Sequence, residues 1–288
     1  MRVVLVTGMS GSGKSVAIRL LEDVGYYCVD NLPSRFLGQL CAYLKETGHG
    51  EVAVSVDART ELSLAQLPAV IEDLRGASHD VRVLFLTAST DALVQRYSES
   101  RRRHPLSERL ALGTDGLEPT LTECIEAERD LLAPLHQIGH LIDTSSLQAN
   151  TLRNWVRQFA DSPRATLTLT FESFAYKNGI PVDADLVFDV RNLPNPFYDP
   201  QLKPLTGLDE PVIAFLSASR RVGEMTEDIA RFLERWLPGY MQDTRHYVTV
   251  AIGCTGGQHR SVYVVEQLVK RFAGQARVLA RHRAIARH

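Results

Sequence analysis

Two stretches of this 288-residue chain set glycines, hydroxyls and a cation at spacings that suit a phosphate group. In the first, Gly8, Met9, Ser10, Gly11, Ser12, Gly13, Lys14 and Ser15 follow the apolar run at residues 3–6. Glycines let backbone N–H groups face inward with no Cβ in the way, and a helix opening at Ser15 aims its positive end at a bound anion. Lys14 is then expected to reach the β- and γ-phosphates of a nucleotide, with the Ser15 hydroxyl as a ligand of Mg²⁺. ATP and GTP are the expected ligands of such a loop.

Phosphate chemistry of this kind also needs an acid. Asp30 closes the short apolar run at 26–29, and Asp57 closes the run at 52–56. Either could hold a magnesium-bound water, and the Val, Ala and Ser residues leading into Asp57 look more like a Walker-B strand. In the plainer reading each aspartate caps the helix after it. Residues 95–104 carry Arg96, Arg101, Arg102 and Arg103 ahead of Pro105. They form either a lid that closes arginines over the phosphates or a solvated basic face.

The second stretch, Gly253-Cys254-Thr255-Gly256-Gly257-Gln258-His259-Arg260-Ser261, again follows an apolar run and precedes a helical period. Its C-x5-R-S spacing is shared with cysteine phosphatases, in which a thiolate attacks phosphorus. Gly253 stands where those enzymes usually carry histidine, and no general acid stands out. Binding of a phosphorylated small molecule through N–H groups, His259 and Arg260 is the favoured reading. Residues 189–196 and 206–209 are strand-end loops that could complete this pocket.

Beyond Gln267 there is no acidic residue, while Lys270, Arg271, Arg277, Arg281, Arg283 and Arg287 are cationic. A one-sided stripe suits the phosphate backbone of structured RNA, since aromatic residues for base stacking are scarce there; the alternative is a solvated tail.

The elements that must carry these groups alternate. Residues 15–24, 121–135 and 147–159 have helical periodicity, and 81–86 and 140–143 read as strands, which predicts a parallel α/β sheet with ligand groups at the strand C-termini. After a linker at 161–163, strands are expected at 166–171, 186–190, 212–216 and 247–252, with helices at 222–236 and 259–272. The result is an N-terminal P-loop domain at 1–161, similar to small-molecule kinases, and a second α/β domain at 162–288.

Composition excludes several classes. The chain is 44% hydrophobic and 23% charged with a formal net charge of −2, as in ordinary globular proteins. No apolar run approaches the roughly 18 residues of a membrane span, and Met1-Arg2 leads straight into a strand, so the cytoplasm is expected. Cys28, Cys41, Cys124 and Cys254 are too scattered for a zinc site or a disulfide framework.

Taken in order, these motifs together with Tyr27-Cys28-Val29-Asp30-Asn31-Leu32-Pro33, Phe171-Glu172-Ser173-Phe174 and Gly179-Ile180-Pro181 resemble the RapZ/YvcJ family of nucleotide-binding proteins along the whole chain. The resemblance implies an ATP site at the first loop, a GTP-associated segment at Asp57, Ala58, Arg59 and Thr60, and weak nucleotide hydrolysis. It implies that Thr255, Gly256, His259 and Arg260 hold glucosamine-6-phosphate and that the cations from Lys270 onward hold a small RNA. An RNase adapter of this kind presents the RNA to ribonuclease E, tunes synthesis of glucosamine-6-phosphate synthase, and is a homo-oligomer. This chain departs from the family in having Phe197 after Asn195-Pro196 where a histidine is usual, Thr60 in place of Asn or Ser, and fewer lysines in the tail. The competing reading is a small-molecule kinase, which would need a base beside an acceptor pocket.

Overall fold

Val3, Val4, Leu5 and Val6 are wholly buried, and a strand apolar on both faces needs cover on both sides of its sheet. The computed structural model, which describes residues 1–57, 61–111, 118–136, 138–161, 167–242, 247–274 and 277–285, supplies that cover. It divides into two units, Met1–Ser162 and Pro163–His288.

The first unit runs β1 (Arg2–Gly8), α1 (Lys14–Asp23), β2 (Tyr27–Val29), α2 (Leu37–Glu46), β3 (Glu51–Ser55), α3 (Glu61–Gly76), β4 (Asp80–Thr87), α4 (Thr90–Ser100), α5 (Ser107–Ala111), α6 (Leu121–Leu132), β5 (His140–Asp143) and α7 (Ala149–Ala160). Its five strands are all parallel in the order β2-β3-β1-β4-β5, so β1 lies at the centre and the winding reverses beside it. Ligands of doubly wound sheets bind outside the strand C-termini at such a reversal. Val3, Leu5 and Met9 pack with Leu37, Leu67 and Phe85 in one core. The register brings Gly8 so close to β4 that a Cβ there would stand 1.9 Å from the Leu86 carbonyl oxygen, and φ is +129°.

The second unit holds β6 (Thr168–Ala175), β7 (Leu186–Asp189), α8 (Glu210–Ser217), α9 (Arg220–Gln242), β8 (Tyr247–Cys254), α10 (Arg260–Phe272) and β9 (Arg277–His282). Four parallel strands take the order β7-β8-β6-β9. β6 is buried along its whole length, and Phe171 packs with Val250, Leu268 and Phe272.

Two expectations are corrected here. Residues 212–216, read as a strand, lie in α8, which starts after Asp209 with Pro211 in its first turn; a short apolar run alone does not separate a strand from a buried helix. The cationic segment at 277–282, read as a tail, is β9, hydrogen-bonded in parallel to β6. The linker expected at 161–163 falls largely outside the described residues.

Candidate functional site

The first loop joins the buried end of β1 to α1. Gly13 caps α1 in the left-handed region and no side chain caps that end, so the first-turn N–H groups, including those of Lys14 and Ser15, are left for an anion. Ser15 is exposed, placing its hydroxyl at the mouth. Lys14 Nζ donates to the carbonyls of Gly8 at 2.6 Å and Met9 at 3.1 Å, which folds the ammonium over the loop. These residues fit a Mg²⁺-nucleotide.

Three neighbours fix the loop's shape. Ser10 donates its N–H and its hydroxyl to Glu128 of α6 at 2.8 and 2.7 Å. Arg96 of α4 donates to the Gly11 carbonyl at 3.0 Å, and the Thr144 hydroxyl, which also accepts from Arg96, donates to the Ser12 carbonyl at 2.9 Å. Two readings change accordingly. Ser10 spends its donors on Glu128 and shapes the cradle from behind, and Arg96 is a brace of the loop, while Arg101, Arg102 and Arg103 are exposed. Glu128 carried no signal in the sequence, since its partner lies 118 residues away.

At the rim, the strand order puts β3 directly beside β1 and β2 one strand further out, so Asp57 lies nearer the loop than Asp30. With the Asn31 amide nitrogen turned toward it, Asn31 donates to both Asp57 oxygens at 3.0 and 3.2 Å. The Ser55 hydroxyl donates to Asp30 and accepts the Asn31 N–H at 2.8 Å. The two aspartates are thus joined through Asn31 and Ser55. Ala58, Arg59 and Thr60 lie outside the described residues.

The second loop leaves β8 at Cys254 and enters α10 at Arg260. The Gly257 N–H donates to the Cys254 sulfur at 3.2 Å, and the Ser261 hydroxyl lies 3.1 Å from it. Gly257, at φ +69°, allows this turn; a Cβ there would meet Ala175 N and the Ala284 methyl at 2.9 Å. Arg260 donates to the carbonyls of Arg191 at 2.7 Å and Leu193 at 3.2 Å and to the Thr255 hydroxyl at 3.4 Å. Gly207 donates to the Gln258 carbonyl at 2.8 Å. The loops at 189–196 and 206–209 therefore both meet the second loop. His259 and Arg260 are 7% and 5% exposed, and His259 Nε2 and Arg260 Nε have no hydrogen-bond partner among the described residues. Thr255 is exposed and Gly256 faces open space.

The cationic tail is rearranged most. Arg281 is 1% exposed and sits opposite Glu172 in the β6–β9 register, where burial pushes its guanidinium down to about 10. Arg283 donates to Glu172 at 2.9 Å and approaches Asp183 at 3.5 Å. Neither can lie along an RNA backbone, because both side chains are enclosed against buried carboxylates. Lys270 and Arg271 are exposed in the last turn of α10, Arg271 beside Glu234 at 3.0 Å, and Arg277 is half-buried. Arg287 is outside the described residues.

A central parallel strand feeding a braced Gly-rich loop and an uncapped helix defines a P-loop nucleotide-binding protein. The family model described as the RapZ-like N-terminal domain matches residues 1–164, and that of the RapZ C-terminal domain matches 167–286; the chain belongs to the RapZ family. It is 59% identical to a nucleotide-binding protein of Paraburkholderia xenovorans over 98% of this chain and 95% of that one. It is equally similar to a nucleotide-binding protein of Bordetella petrii, over 98% and 97%. Among solved structures it is similar to a shikimate kinase from Bacteroides thetaiotaomicron (TM-score 0.35, 14% identity, 54% of this chain and 96% of that one). A sugar kinase from Janibacter gives a TM-score of 0.39 at 18% identity, over 56% and 95%. No helix among the described residues is long and apolar enough to cross a membrane.

Proposed function

We propose that this chain is a cytoplasmic regulatory protein whose P-loop unit binds ATP or GTP with Mg²⁺ and hydrolyses it weakly, and whose second unit senses an amino-sugar phosphate. Lys14 holds the phosphates, Ser15 ligates the metal, and Asp57 holds a metal-bound water. In the second unit Thr255, Gly256, His259 and Arg260 take glucosamine-6-phosphate. The observation that carries this reading is the pair of enclosed nitrogens at the opening of α10, the Arg260 Nε–H donor and His259 Nε2, with no hydrogen-bond partner among the described residues. Buried donors call for an acceptor, and an anion at a helix N-terminus supplies one. By family likeness the protein is a homo-oligomeric RNase adapter that directs small-RNA processing, through ribonuclease E, to set the level of glucosamine-6-phosphate synthase. The cations left for RNA are the exposed Lys270 and Arg271 and the half-buried Arg277.

Titration calorimetry with glucosamine-6-phosphate tests the metabolite site. Binding to the native protein that is lost in Arg260→Ala, with glucosamine alone inert, is the expected result. Equal binding by both proteins would remove the site from this loop. For RNA, electrophoretic retardation of a structured small RNA should weaken in Lys270→Ala/Arg271→Ala and fall steeply with salt.

A further inference from the structure

Glu128 is 0% exposed and its carboxylate faces two separate parts of the first unit. On one side are the two donors of Ser10 in the phosphate loop. On the other is His104, whose Nε2 lies 3.2 Å from the same Oε2 that accepts the Ser10 N–H. The Leu106 N–H points at His104 Nδ1 at 3.2 Å, so Nδ1 is the acceptor and Nε2 carries the proton offered to Glu128. His104 directly follows Arg101, Arg102 and Arg103. The start of that arginine turn is pinned as well: Arg101 adopts φ +51° and its N–H closes α4 on the Tyr97 carbonyl at 2.9 Å. The Tyr97 ring lies 5.3 Å from that of His104 and 3.4 Å from where a Gly11 Cβ would stand.

We propose that Glu128 is a positioning residue for bound nucleotide, and that the Glu128–His104 contact is a latch holding the turn Arg101–Arg103 in register with the phosphate loop. The cations of the turn then act on the triphosphate only while the latch is closed. Charge alone argues against a carboxylate beside a polyanion site, so its contribution is geometric. It accepts two Ser10 donors that would otherwise be buried unpaired, and it anchors the residue that ends the arginine turn. The inference rests on nucleotide binding at the first loop.

The test is a mutant cycle on the full chain, read as the dissociation constant of fluorescent mant-ATP with Mg²⁺. Arg101→Ala/Arg102→Ala/Arg103→Ala should weaken binding about tenfold in the native background and less than about twofold in His104→Ala, since coupled residues are non-additive. His104→Gln, whose amide N–H can still reach Glu128, should restore the arginine dependence, a rescue that a merely structural histidine would not give. Glu128→Ala should behave as His104→Ala does; if it folds poorly, the histidine pair carries the test. Arginine effects of equal size with and without His104, or absent in both, overturn the latch and leave the nucleotide reading standing. A native protein that bound no mant-ATP would overturn both.

Discussion

Arg281 on β9 stands opposite Glu172 on β6, and both side chains are shut away from solvent, at 1% and 0% exposure. Arg283 joins them from the residue after the strand. Cations that a count of charges assigns to the surface therefore neutralise carboxylates inside the second unit. Removing one partner of such a group strands the other charge in a poor medium. Arg283→Ala should cost about 3–5 kcal/mol in urea denaturation. Lys270→Ala should stay within about 0.5 kcal/mol of the native protein while lowering RNA retention. A stable Arg283→Ala protein with a selective RNA defect would refute this division.

Gly8 and Gly256 make opposite predictions from one kind of substitution. An alanine at Gly8 would drive its methyl into the Leu86 carbonyl and hold an unfavourable φ, so thermal melting of the first unit should fall sharply. At Gly256 nothing lies within 4 Å of the added carbon. Gly256→Ala should melt as the native protein does and lose affinity only for a sugar phosphate that approaches the backbone closely.

Lys14→Ala should abolish mant-ATP binding, because it removes the ammonium that lies against the Gly8 and Met9 carbonyls, where the phosphates would sit. Ser15→Ala should bind more weakly with Mg²⁺ and unchanged without it. Titrations with and without EDTA separate the two, and equal losses in both conditions would deny Ser15 its metal role.

Glu128 also sets a pH dependence. Burial pushes its carboxyl up, but the His104 bond, the Lys14 charge and the two Ser10 bonds outweigh burial and hold it below the usual 4.5. A carboxylate depressed on folding adds stability that is present above the unfolded value and lost as pH falls through the folded one. The urea midpoint of the first unit should accordingly drop below about pH 4.5 more steeply in the native protein than in Glu128→Gln. Parallel curves would contradict the sign.

What could be read from the sequence follows how local each feature is. Gly8 to Ser15 and Gly253 to Ser261 are legible because their chemistry lies within nine residues and the strand before and helix after each follow from short-range periodicity. Residues 212–216 were misleading because five apolar residues fit either element; Asp209 before Pro211, a helix-start signal, would have decided it. Glu128 was invisible because it lies on an amphipathic helix among Glu126, Arg129 and Asp130, where a carboxylate ordinarily faces water. Arg281 and Arg283 were misplaced because Glu172 and Asp183, which draw them inward, lie about a hundred residues earlier.

Ser10, Gly11 and Ser12 are gripped by Glu128, Arg96 and Thr144, groups from three separate parts of the first unit. A segment tied down at consecutive positions is ordered when the domain folds, so little conformational entropy remains to be lost when a ligand arrives. Nucleotide capture should thus be fast and show a small entropic penalty, and whatever large movement accompanies it must come from parts of the unit outside the loop.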